Sequence, residues 1–215
     1  MQNNSWIRFE EAVKDPRLGK ALERYEKNSD IGLDKANITV FGGKELIVYQ
    51  SGGNFPKLRF LNASMKNVSC EVIAAYNALV SAGKNVDFFK LAFEFELNAV
   101  LYTKGIPIIA GCFGSDPFKI GYCLEAYDAS YEMFRSCDEA DNALKSGRSG
   151  IISYRWPLLG HVLHLPIHTF SAVYDGSAVM TFNRFGSHTG PVSYSSVGHT
   201  LAAAHDRFMV GYVIF

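Results

Sequence analysis

Along its first quarter the chain sets short apolar runs among charges. Over residues 6–25, Ile7, Val13, Leu18 and Leu22 recur at roughly helical spacing. Asp15-Pro16 interrupts them, so the segment predicts one or two surface helices with a break there. Residues 38–41 and 45–49 are β-rich runs around Gly42-Gly43, the pattern of a hairpin, and Ser51-Gly52-Gly53-Asn54 reads as a loop. From Cys70 the period changes. Val72, Ile73, Ala75, Tyr76, Leu79 and Val80 follow the i, i+3, i+4, i+7 spacing of one buried helical face. Asn67 or Ser69 is placed to cap its start and Gly83 to end it. A second helix follows Asp87 on Phe88, Leu91, Ala92 and Phe95. A third opens at Ser115-Asp116-Pro117, a cap-plus-proline start, and runs towards Tyr127; residues 136–145 form a weaker short helix.

The last third turns β-rich. Residues 150–155, 167–174, 178–183 and 207–215 read as strands, Asp175-Gly176-Ser177 as the turn between two of them, and residues 194–204 as a short helix. Helices first and antiparallel strands afterwards describe an α+β domain. Residues 61–215 are expected to form that domain, with residues 1–60 as an N-terminal extension of helices and hairpin packed on it. No repeat, low-complexity tract or linker divides the chain.

Composition narrows the partners. Apolar residues make up 48% of the chain, ample for a core, and 21 basic against 21 acidic residues leave no net charge. Without a basic stripe there is no electrostatic footprint for nucleic acid or an anionic membrane. The apolar runs at 105–113 and 210–215 are too short to span a bilayer, and the polar N-terminus is unlike a signal peptide. The expectation is a soluble protein, cytoplasmic or exported without a classical signal, that acts on a peptide or protein.

Four cysteines, Cys70, Cys112, Cys123 and Cys137, form no CxxC pair and match no common zinc spacing. Most are expected to be reduced packing thiols. His161, His164 and His168 form H-x2-H-x3-H, but Pro166 interrupts the run and no carboxylate accompanies it, so no metal or other cofactor is expected. The 51–53 loop lacks the lysine and hydroxyl of a phosphate loop, and Ser171 and Ser193 lack the G-x-S-x-G context of a serine nucleophile.

Cys70 differs from the other thiols. It stands where a helix begins, in Asn67-Val-Ser-Cys70-Glu-Val-Ile, and the positive end of a helix dipole favours the thiolate. A nucleophile also needs a base held by a third polar group. His168 lies near the start of the apolar run 167–174, and counting back across the 175–177 turn brings Asn183 roughly opposite it. A one-residue slip of register would turn Asn183 to the other face.

Cysteine at a helix start, then helices, then a histidine strand returning to Asn or Asp resembles the papain-like cysteine peptidases. The closest variant is the bacteriocin-processing peptidases of double-glycine leaders and related bacterial proteins. The resemblance covers residues 62–215 and rests on order and spacing. It implies a papain-like fold and a hydrolase in which Cys70 attacks an amide or thioester carbonyl, His168 moves the proton and Asn183 holds the ring. It also implies a glutamine six residues before the nucleophile to bind the oxyanion, and that position is Ser64. The nearby amides Asn62 and Asn67, Ser64 itself, or Gln50 farther upstream are the candidates for that role. The same constellation serves deamidases and acyltransferases among secreted toxins and effectors, and an inactive domain of this fold would bind a peptide or protein partner instead.

Overall fold

Proline at 16 divides the N-terminal helical pattern as its chemistry requires. Helix α1 (Phe9–Ala12) ends before it, the Asp15 side chain accepts from the Arg17 N–H, and α2 (Gly19–Ile31) follows a single 3-10 turn. The computed structural model describes residues 6–61, 63–102, 116–156, 167–184 and 190–215. Strands β1 (Ile38–Phe41) and β2 (Lys44–Ile47) form the hairpin around Gly42 and Gly43, both of which have positive φ. A two-residue ribbon, β3 (Arg59–Phe60) with β4 (Ala63–Ser64), leads into the single turn α3 (Met65–Val68).

Helix α4 (Cys70–Ser81) is buried nearly all round, which explains why its apolar pattern is broader than one stripe. At its C-terminus Gly83 adopts φ +85°, and the N–H of Lys84 bonds back to the Leu79 carbonyl, a glycine-dependent stop. At its N-terminus the expected side-chain cap is absent: the Ser69 hydroxyl donates back to the Met65 carbonyl at 2.6 Å, closing the preceding turn. Helix α5 (Phe88–Tyr102) follows, then α6 (Ile120–Ala126) after the Asp116-Pro117 turn, and α7 (Cys137–Ser146).

The strands β5 (Tyr131–Phe134), β6 (Ser149–Arg155), β7 (Ile167–Tyr174), β8 (Val179–Phe182), β9 (Val192–Tyr194) and β10 (Arg207–Ile214) build one sheet in the order β5-β10-β6-β7-β8-β9. Every neighbouring pair is antiparallel. The short helix α8 (Val197–Ala202) precedes β10. The chain is therefore a mixed α+β protein with a six-stranded antiparallel sheet. Both faces of the sheet are covered. Ile151, Val210, Tyr212 and Ile214 pack with α4, α5 and α6 on one side, while Ile152, Tyr154, Phe170 and Val213 pack with α7 and α8 on the other. Covering on both faces is why β6 and β7 read as continuous apolar runs instead of alternating ones.

The described residues before the α3 turn pack on the helices that follow. Trp6 and Arg8 bond the Glu94 carboxylate on α5, and Phe9 and Tyr25 pack on Phe93. The hairpin is tied to α4 by Asn77, which accepts from the Ile47 N–H at 2.8 Å and donates to the Ile47 carbonyl at 2.7 Å. The same amide donates to Ser171 Oγ on β7 at 3.1 Å. Removing it strands a buried N–H, carbonyl and hydroxyl at once. Asn77→Ala is expected to cost about 3 kcal/mol, read as a lower urea midpoint at unchanged slope. A loss below about 0.5 kcal/mol would show that water or rearrangement replaces those bonds.

Candidate active site

Helix α4 and strand β7 bring Cys70 and His168 to the same corner of the sheet. Cys70 occupies the first position of α4 and is 6% exposed. The main-chain N–H groups of Glu71 and Thr169 lie near enough to its sulfur to favour the thiolate. Thr169 is the residue after His168, so the thiol lies against the start of the histidine strand. Alternation along β7 places Thr169 and Ser171 on the α4 side and His168 and Phe170 on the α7/α8 side. Among the described residues no hydrogen bond joins the thiol to the imidazole. The thiol instead donates to Oε2 of its neighbour Glu71 at 3.0 Å.

His168 Nε2 lies 2.7 Å from the main-chain carbonyl of Asn183. A carbonyl only accepts, so the ring carries its proton on Nε2 and leaves Nδ1 as an acceptor. Strict pairing would set Asn183 opposite Phe170, two residues away, because Phe182 pairs with Ser171. Asn183 instead takes φ +58° where β8 ends, and this left-handed turn swings its carbonyl back to His168. The expected contact is thus made by the backbone. The Asn183 side chain donates to Gln50 Oε1 at 2.6 Å, and Gln50 Nε2 donates to the Lys66 carbonyl at 2.9 Å.

The oxyanion candidates separate clearly. Ser64 is committed to structure, donating to the Phe55 and Pro56 carbonyls and accepting from the Lys66 N–H at the start of α3. Asn67 is exposed on α3. Asn62, together with Cys112, His161 and His164, lies outside the described residues. The amide brought to the site is Gln50, held on a loop that Asn37 ties down through the Tyr49 and Gly52 carbonyls at 2.5 and 3.1 Å. Gly53, at φ +56°, is required there, since a Cβ would fall 2.1 Å from Asn37 Oδ1.

Three further features had no sequence signal of their own. Trp156 stacks over His168 with ring centroids 6.3 Å apart and planes 8° from parallel, and Tyr154 meets the ring edge-on. Arg184, buried behind them, pairs with Asp206, bonds the Tyr154 hydroxyl and lies over the Tyr154 and Phe170 rings. Glu71, 1% exposed, keeps Oε1 without a hydrogen-bond partner among the described residues.

Burial decides the protonation states. It pushes the Cys70 thiol well up, the Glu71 charge adds to that, and the two main-chain N–H groups only partly offset it. The helix start alone led to the opposite expectation, a depressed thiol. Burial also raises Glu71 to about 7, and it lowers His168 to about 4 with a small further push from Arg184. The resting pair is a thiol and a neutral imidazole.

No protein-family model matches the chain, and no curated protein sequence is similar enough to establish kinship. Among the described residues no helix is long and apolar enough to cross a membrane.

The buried pair gives the fold a testable pH signature. His168 is depressed from 6.5, so its contribution to stability is intact above pH 6.5 and lost as pH falls through about 4. Glu71 is raised from 4.5, so its contribution is intact below pH 4.5 and lost as pH rises through about 7. Each slope is at most ~1.4 kcal/mol per pH unit, and in the shared window they oppose. Relative to wild type, Glu71→Gln should therefore gain stability as pH rises from 4.5 to 7, and His168→Gln as it falls from 6.5 to 4. Urea midpoints at half-unit pH intervals test this, and mutant curves parallel to wild type would refute the buried titrations.

Proposed function

We propose that the chain is a thiol-dependent amide or acyl hydrolase of cysteine-peptidase type, with Cys70 as nucleophile and His168 as its base. The observation that carries this reading is the tautomer of His168. Its Nε2 proton is committed to Asn183, so Nδ1 is the ring atom that would take a proton once substrate brings together the thiol and the ring, which rest on opposite faces of β7. Catalytic hydrogen bonds often tighten only when substrate is bound.

The steps balance with these groups alone. His168 Nδ1 takes the thiol proton as the sulfur attacks the carbonyl carbon, and the oxyanion forms near the first main-chain N–H groups of α4. Gln50 Nε2, released from the Lys66 carbonyl, supplies a side-chain donor; such donors typically contribute about a hundred- to thousand-fold in rate. The protonated imidazole then gives its proton to the leaving amine or thiol. A water, activated by the same Nδ1, releases the acid and restores the thiol. Because the resting thiol is protonated, deprotonation accompanies attack instead of preceding it, and the neutral imidazole is ready to accept.

A second reading is a papain-like domain that binds a peptide or protein without cleaving it. The burial of Cys70 and its bond to Glu71 favour that reading. Alkylation by iodoacetamide between pH 5 and 9, quantified at each cysteine by peptide mass spectrometry, distinguishes the two. For the hydrolase, His168→Ala should slow labelling of Cys70 at pH 7 by about tenfold or more, the lower end of general-base effects. Equal labelling in both proteins across the range would leave the binding domain.

A further inference from the structure

Glu71 is a buried carboxyl group that the proposed chemistry does not use. Its side chain lies against the nucleophile, with Oε2 receiving the Cys70 thiol proton at 3.0 Å. Oε1 is shielded from solvent and has no partner among the described residues. A buried carboxylate oxygen left without a partner is costly to the fold. Gln50, Asn77 and Asn183 show that the surrounding fold can supply donors to buried acceptors, yet none is aimed at Glu71. Its charged and titratable surroundings are Cys70 on its own helix, Asp116 before α6, and, across the thiol, Tyr154 on β6. Asp116 adds negative potential instead of relieving it. A cationic N–H donor would satisfy Oε1, and the atom beside the carboxylate is the Cys70 sulfur.

We propose that Glu71 is both a brake on Cys70 and the specificity-determining residue of the site, holding the thiol proton until an ammonium or guanidinium group of the substrate occupies Oε1. This rests on the reading of Cys70 as the nucleophile. A bound cation neutralises the carboxylate, weakens its hold on the thiol proton and removes the like charge that opposes thiolate formation. Substrates with a basic side chain or amino group next to the reacting carbonyl are then favoured at the step of attack, because the interaction releases the nucleophile as well as binding the ligand.

The test uses thiol reagents that differ in charge. Methanethiosulfonates bearing ethylammonium, ethyl-trimethylammonium or ethylsulfonate are reacted at pH 7.5 with the full chain, each rate at Cys70 being divided by that with 2-mercaptoethanol. In wild type the ammonium reagent should exceed the sulfonate by at least about tenfold and the trimethylammonium by several-fold, since the latter has charge without N–H. Glu71→Gln should bring the three within about threefold of one another. The same substitution should speed iodoacetamide labelling of Cys70 by about tenfold, the equivalent of one pH unit on the thiol. If Glu71→Gln does not fold, as judged by near-ultraviolet circular dichroism, Glu71→Met removes the same charge at similar volume. Unchanged charge selectivity, or slower iodoacetamide labelling in the variant, would overturn the proposal, the latter by making Glu71 a base. Repeating the measurement in His168→Gln separates the two ideas. Release of the brake that persists there, with labelling insensitive to His168, would refute the Cys–His pair and leave Glu71's role intact. Labelling that depends on His168 but not on Glu71 would do the reverse.

Discussion

One buried amide sets the geometry on which the rest depends. Asn77, in the middle of α4, spends its carbonyl oxygen and both its N–H groups on strand β2 and strand β7. Apart from the Ser149 hydroxyl on the Ala78 carbonyl at 2.7 Å, this helix meets its neighbours mainly through alanines, valine, isoleucine and leucine, contacts that resist separation but tolerate sliding. A hydrogen-bonded amide tolerates neither a shift along the axis nor a rotation about it. It fixes how far the first residue of α4 stands from the first residues of β7, about two helical turns from the amide itself. The meeting of the Cys70 thiol with the Thr169 amide is therefore a consequence of registration at Asn77, on an element whose apolar packing alone would leave it free to creep.

Much of this architecture was legible from periodicity. The α4 run, the break at Pro16, the glycine stop at Gly83 and the β7–β8 hairpin all follow from local chemistry that tertiary packing did not contest. The short elements were hidden. Tyr131–Phe134 and Val192–Tyr194 are three or four residues long and lie at the two edges of the sheet, where a strand has too few side chains on the core to show a period. The ribbon at Arg59–Phe60 is shorter still and is defined by its pairing partner.

For the site, the sequence could nominate residue types but not orientations. Cys70, His168 and Asn183 were found as letters at suitable places along the chain; the fold joins His168 to Asn183 through the backbone and joins the Cys70 thiol to Glu71. What each one does was decided by three-dimensional facts with no linear signature. A helix start promised an acidic thiol, yet burial and the neighbouring carboxylate outweigh a dipole whose effect is typically below about 1 kcal/mol. Spacing from Cys70 offered residues 62–67 and, farther upstream, Gln50; of the described residues among these only Gln50 is tied to Asn183, on a loop held by Asn37. Glu71 looked like a helix-start acid of the kind found on many protein surfaces, and only the packing of α4 shows that it is inside.

The left-handed turn at Asn183 bears on how such a site could be recognised elsewhere. Its contact with the imidazole is a peptide carbonyl, a group that every amino acid carries, so what the histidine asks of this position is backbone shape, while the side chain answers separately to Gln50. Asparagine, aspartate and glycine share a tolerance for that shape while differing in every property of the side chain. Any of the three could keep the carbonyl on the histidine, and of the three only asparagine also keeps the amide donation to Gln50. A search by residue type would see the side-chain bond and miss the backbone one.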